Sequence, residues 1–172
     1  MLKVAGSVMI FTACLAMGVG KGKEYKRRIG ELLLVKRLLL MLRGEVKYAR
    51  TPLPEAFQTI GKKMENVFGT FLLRVAEELN QQEGETLQQV WEKNLDQVLD
   101  KSALTREDRQ QLKKLGSQLG YLDQEMQIST IDFQVEQLEG QIKRLEEEQG
   151  KRSRVCSCLG IFAGVMLNLI LL

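Results

Sequence analysis

Two charge-free apolar runs, one at each end of the chain, constrain this sequence more than any other feature. Val4 to Gly20 is uncharged for 17 residues and Val155 to Leu172 for 18. As α-helices they measure about 26 and 27 Å at about 1.5 Å per residue, against a bilayer hydrocarbon core of about 30 Å. The pattern predicts a membrane span over residues 1–20, a body over 21–154 and a second span over 155–172. Lys21, Lys23, Lys26, Arg27 and Arg28 follow the first run; Lys143, Arg144, Lys151, Arg152 and Arg154 precede the second. By the positive-inside rule the body lies in the cytosol and both termini outside.

The first run has rival readings. Lys3 followed by an apolar stretch also describes a secretory signal, and Phe11-Thr12-Ala13-Cys14 has the outline of a lipoprotein cleavage box in which Phe11 fits poorly. An uncleaved anchor is preferred over a cleaved leader or lipidation at Cys14. The row Thr12, Ala16, Gly20 and the pair Gly160, Gly164 offer small-residue surfaces on which two spans can pack. Cys156 and Cys158 read as small apolar residues entering the bilayer, with reversible acylation as the alternative.

Histidine is absent, which removes His general bases, Ser-His-Asp and Cys-His nucleophile systems and His metal ligands. No CxxC pair exists among Cys14, Cys156 and Cys158, so zinc-ribbon and thioredoxin-type sites are excluded. The local GVGKGK lies at a membrane exit, has no strand before it and lacks the first glycine of a phosphate-binding loop. Glu77, Glu78 and Asp123 are the best carboxylates for a divalent cation, but nothing in their spacing fixes a geometry. The expectation is therefore no enzyme, no cofactor, no metal and no small-molecule substrate. Charge is uneven: Lys21 to Arg74 holds 13 basic and 5 acidic residues, whereas Val75 to Gly150 holds 8 basic and 17 acidic. A chain with a basic collar and an acidic half is not a nucleic-acid binder of the uniformly basic kind.

The body reads as helices only. Tyr25 to Ala49 carries Leu32, Val35, Leu39, Leu42, Val46 and Ala49 at alternating steps of 3 and 4, a heptad seam. A second row, Leu34, Leu38 and Met41, covers another face, so this helix is buried on two sides, the second by its own bundle or by a partner. Thr51-Pro52-Leu53-Pro54 ends it, with Thr51 as N-cap of the next helix, which runs to about Met64. A break is expected at Gly69-Thr70, then a stripe of Phe71, Leu72, Val75 and Leu79, and a turn at Gln81-Gln82-Glu83-Gly84. Thr86 with Gln89 and Thr105 with Asp108 are capping boxes opening two more helices. Gly116 and Gly120 close the second of these. A last helix spans about Asp123 to Gln149, where Ile128, Ile131, Val135, Leu138, Ile142 and Leu145 repeat the heptad steps. The expected fold is all-α: about six cytosolic helices, the first and last forming a long antiparallel stalk with four shorter helices at its far end, flanked by one transmembrane helix on each side.

Two segments carry a resemblance. Thr51-Pro52-Leu53-Pro54-Glu55-Ala56, and Leu115-Gly116-Ser117-Gln118-Leu119-Gly120 followed by Tyr121-Leu122-Asp123-Gln124-Glu125, together with the terminal runs and the length, resemble the stage III sporulation protein AB family over essentially the whole chain. The second segment also resembles the cytoplasmic helical domain of type II secretion platform proteins, whose Gly-Glu-x-x-Gly pattern stands here as Gly116-Ser117-Gln118-Leu119-Gly120. With Ser117 at the acidic position, metal binding is not carried over.

The resemblance implies a role in endospore formation: a platform in the mother-cell membrane, within the complex joining mother cell and forespore, contacting a secretion-type ATPase and ring-forming membrane components. The candidate partner interface is Leu34, Leu38 and Met41 together with Asp123 and Glu125. The alternatives are a membrane-tethered coiled-coil sensor or homo-oligomeric stalk, pairing through the 128–145 seam, and a cleaved, exported helical protein.

Overall fold

The computed structural model describes the backbone of residues 2–81, 84–121 and 123–171, and the side chains of residues 23–81, 84–121 and 123–150. Within these residues the chain is helical throughout, without a strand. The helices are α1 (Leu2–Gly44), a π-helical turn (Glu45–Ala49), α2 (Leu53–Lys63), α3 (Val67–Gln81), α4 (Leu87–Val98), α5 (Arg106–Leu119) and α6 (Gln124–Leu171).

The chain divides into two compact units. The first comprises Met1–Ile29 with Ile142–Leu172, bringing the start of the chain and its end together. Its side chains are described only in part. The apolar runs, the three cysteines and the small-residue rows predicted to pair lie outside the described side chains. Among the described residues no helix is long and apolar enough to cross a membrane.

The second unit, Gly30–Gln141, is a helical body. Lys36 Nζ lies 2.8 Å from Glu139 Oε1, and Arg43 pairs with Asp132, so α1 and α6 run antiparallel here, as their seams predict. The pair is not a free stalk. The Glu31 carboxylate accepts the Ala103 N–H at 2.6 Å, Gln141 Nε2 donates to Asp108 Oδ1 at 2.6 Å, and Gln127 Nε2 donates to the Leu119 carbonyl at 2.9 Å. Together these lay α5 along α1 and α6 rather than beyond them. The α1 seam is consequently shared: Leu32, Val35 and Leu39 face Leu104, Leu112 and Leu115 as well as Leu138. Leu32, Val35, Leu39, Leu42 and Val46 are buried, while Ala49, the last position of the predicted seam, is exposed.

Local chemistry explains where the remaining boundaries fall. The regular helix α1 stops at Gly44 and the backbone widens into the π-helical turn, closed by Arg50 in the left-handed region (φ 53°). Thr51 does not cap α2 as expected. Its hydroxyl donates instead to Glu45 Oε2 at 3.4 Å, and α2 opens behind Pro52, where a missing N–H costs nothing in the first turn. The predicted break at Gly69-Thr70 lies earlier, at Met64–Asn66. There Asn66 Oδ1 accepts the N–H groups of Phe68 and Gly69 at 2.9 and 3.2 Å, satisfying donors that a helix start leaves open. The boxes at Thr86/Gln89 and Thr105/Asp108 form reciprocally as the spacing predicts.

The core of α2–α5 centres on Trp91. Its ring packs edge-on against Phe71 (centroids 4.8 Å apart, 83° between planes) and tilted against Phe57 (5.6 Å, 50°), and its Nε1 donates to the Leu112 carbonyl at 2.8 Å. Gly116 lies inside α5 and does not end it. A Cβ there would sit 2.2 Å from Trp91 Cδ1, so the missing side chain is what lets the indole reach the helix backbone.

Candidate functional site

The five residues predicted as a partner interface do not form one face. Leu38 is buried (4% exposed) and belongs to the core, so at this position the second face of α1 is covered by the chain's own bundle rather than by a partner. Leu34 and Met41, one heptad apart on α1, are half-buried. Asp123 Oδ1 accepts the Met126 N–H at 2.9 Å and so caps α6, while Glu125, in the first turn of α6, is exposed. Acidic residues at a helix N-terminus also complement its dipole, so both carboxylates have a local structural role.

The large exposed apolar side chains are others: Leu33 and Leu40 on α1, Met126 and Phe133 on α6, Tyr48 on the π-helical turn and Tyr121 before α6. Leu33 with Leu40, and Met126 with Phe133, are each one heptad apart. The signal was present in the sequence, one position out of phase with rows that read more strongly. Tyr48 and Tyr121 flank the place where Gln124 Nε2 donates to the Val46 carbonyl at 2.6 Å, an acceptor released by the π-helical geometry.

The α6 seam proposed to pair between chains is occupied within the chain. Ile131, Leu138, Ile142 and Leu145 are buried, with Ile128 and Val135 half-buried. This removes the 128–145 seam as an intermolecular surface.

Between α1, α5 and α6 lies a cavity of about 10 Å³, lined by Leu32, Val35, Leu39, Leu115, Leu138, Asp108 and Gln134 among others. Such a volume is near the minimum for one water. Asp108, 3% exposed, is committed there to structure: Oδ2 accepts the Thr105 N–H at 2.9 Å while Oδ1 holds Gln141. A carboxylate so bonded to two elements locks α5 to α6.

Glu77, Glu78 and Asp123, the carboxylates considered for a cation, do not come together. Glu77 accepts from Gln81 at 3.2 Å, Glu78 is 3.1 Å from Lys93 Nζ, and Asp123 caps α6. Among the described residues no group of three or more Cys, Asp or Glu gathers as a metal site would need. Ser117 Oγ donates to the Lys114 carbonyl at 2.8 Å, back onto its own helix. The clear protonation shift belongs to exposed Lys93, whose pKa is raised above 10.5 by its hydrogen bond to Glu78 and then by that carboxylate's charge.

These residues build an all-α body whose distinguishing features are surface rows rather than a cleft. The Stage III sporulation protein AB family profile matches residues 3–172, and the chain belongs to that family. It is 29% identical over 172 residues to Stage III sporulation protein AB of Bacillus subtilis (strain 168), covering 100% of both chains. A solved structure of Stage III sporulation protein AB (SpoIIIAB) is similar with a TM-score of 0.65 and 26% identity, over 73% of this chain and 98% of that one. Membership brings a role in sporulation, and these relatives carry names of sporulation proteins rather than of enzymes.

Proposed function

We propose that the chain is a non-enzymatic platform anchored in the mother-cell membrane at both ends, docking a secretion-type ATPase to the membrane and ring components of the channel complex between mother cell and forespore. The observation that carries this reading is the continuity of α1 and α6. Each runs as one helix from the body into a charge-free apolar run, and the two arms belong to one compact unit. Basic residues at the inner end of each run support a cytosolic body. The acidic balance of residues 75–150 supports electrostatic steering of a basic partner, screened over about 10 Å at 0.1 M salt. Half-buried Leu34 and Met41, with exposed Glu125, are the docking residues of this reading.

The test is a pull-down from detergent-solubilised membranes of sporulating cells, with the tag in the body. Recovery of the secretion-type ATPase is expected, weakening as salt rises. Exchange of Leu34 and Met41 for Ser lowers recovery without loss of helicity. If other membrane components of the complex co-purify while the ATPase is absent, the chain is a lateral scaffold and the docking role falls.

A further inference from the structure

The outer faces of α1 and α6 match each other. On α1, Leu33, Arg37 and Leu40 are exposed along one stripe; on α6, Phe133, Glu136 and Gly140 are exposed along another. Neither stripe belongs to the buried seams that meet α5. Arg37 and Glu136 have no ion-pair partner among the described residues. Gly140 is a mid-helix glycine at which a Cβ would meet nothing within 4 Å, so the body itself does not require it. A glycine there weakens the helix relative to Ala.

The register between the stripes comes from the intrachain pairs. Lys36–Glu139 and Arg43–Asp132 set which residues of α1 and α6 stand at equal height. In that alignment Leu33 stands within two residues, about 3 Å, of the height of Gly140, as Arg37 does of Glu136 and Leu40 of Phe133, an offset that side chains span. With both copies at one height, a leucine thus stands near a hole, a cation near an anion, and a leucine near a ring. Within one chain all six residues are exposed, which leaves both stripes open to a second copy.

We propose that two copies of this chain pair back to back, α1 of each lying antiparallel on α6 of the other, in a four-helix bundle. A two-fold axis along the helices makes every contact occur twice and keeps both copies at the same height, as an isologous dimer requires. Charge selects this pairing over α1 on α1. α1 belongs to the basic stretch, 13 basic to 5 acidic, and α6 to the acidic one, 8 basic to 17 acidic. The pairing is independent of ATPase docking.

The test uses the full chain with Cys14, Cys156 and Cys158 replaced by Ser, in detergent and in vesicles. Chains bearing Leu40→Cys and chains bearing Phe133→Cys, differently tagged, are mixed and mildly oxidised. A crosslink joining the two tags is expected, well above that between two Leu40→Cys chains. In sedimentation of the full chain, Arg37→Glu weakens self-association about tenfold or more, because like charges then face each other twice. Adding Glu136→Arg restores it. Circular dichroism checks that each variant remains helical. A monomer at every concentration overturns the proposal. So does a dimer indifferent to Arg37→Glu, or loss of a different partner's binding by Leu40→Ser with self-association unchanged.

Discussion

Around Trp91, glycine removes an obstacle; on the outer faces of α1 and α6 it leaves a space that nothing in the body fills. A Cβ at Gly116 would lie 2.2 Å from the Trp91 ring and one at Gly69 would lie 1.8 Å from the Met64 carbonyl oxygen, while one at Gly44 or Gly140 would meet nothing within 4 Å. The same residue type serves close packing in one region and has no packing role in the other. Where a glycine is required by its neighbours, substitution breaks the fold. Where it is not, substitution helps the helix, and any cost of it must arise outside the chain.

The largest effect tests the packed region. Trp91→Ala removes the side chain that Phe57, Phe71, Gly116 and the Leu112 carbonyl all meet. The expected loss is about 3–5 kcal/mol of stability, from lost burial plus the cavity left behind. Urea unfolding of the full chain in detergent, followed by circular dichroism, measures it. A loss below about 1 kcal/mol would mean that the core of α2–α5 does not centre on the indole.

Next comes the glycine beneath it. Gly116→Ala forces a methyl group into the indole, and overpacking of this kind costs about 1–3 kcal/mol. The Trp91 fluorescence maximum should move with it, as the ring is pushed off the Leu112 carbonyl. Gly116→Ala with no loss of stability would sink the close-approach explanation and return this residue to the role of a helix breaker.

That role was how the sequence presented it, and the reason is physical. A glycine within a helical pattern signals a break, a cap or a close approach, and only tertiary neighbours separate the three. Gly69 and Gly116 were therefore expected to interrupt helices that continue through them. Periodicity and polar chemistry were legible because they are local: the α1 seam from Leu32 to Val46, the α6 positions Ile131, Leu138, Ile142 and Leu145, the capping boxes at Thr86 and Thr105, and the inward faces of Phe57, Trp91 and Leu95 stand as the pattern predicts. The position of α5 was not, since Asp108–Gln141 and Glu31–Ala103 join residues 33 and 72 positions apart. For the same reason the candidate interface was legible only in part. Leu38 belongs to a row that includes half-buried and buried positions, and burial is decided by which neighbour arrives, not by spacing.

On the open side the expected sign reverses. Gly140→Ala should raise the stability of the dilute chain by up to about 1 kcal/mol, through helix propensity and a less flexible unfolded state. The same methyl would enter the space that Leu33 of a second copy is proposed to fill, so self-association should weaken while the fold strengthens. Measuring both on one variant sharpens the contrast with Gly116→Ala. If Gly140→Ala destabilises the dilute chain, some contact within the chain depends on this glycine and the contrast fails.

The smallest effect lies on the surface of the packed region. Lys93 Nζ is 3.1 Å from Glu78 Oε2 and joins α4 to α3. The hydrogen bond to Glu78, and then that carboxylate's charge, raise the Lys93 pKa above its ordinary 10.5; partial desolvation opposes them and Glu85 adds to them. A cation whose pKa is higher in the folded state stabilises fully below the unfolded value, and that contribution disappears as the pH climbs through the folded value. The pair should therefore add a little stability at neutral pH and none in strong alkali. Because Lys93 is solvent-exposed, salt should erase the same contribution. Comparing unfolding midpoints of the parent chain and Glu78→Gln between about pH 8 and about pH 12 tests this. The two curves should converge at the alkaline end and at high salt. A difference that persists under both conditions would show that Glu78 acts through packing of α3 on α4, adding one more close contact to the region where the glycines are indispensable.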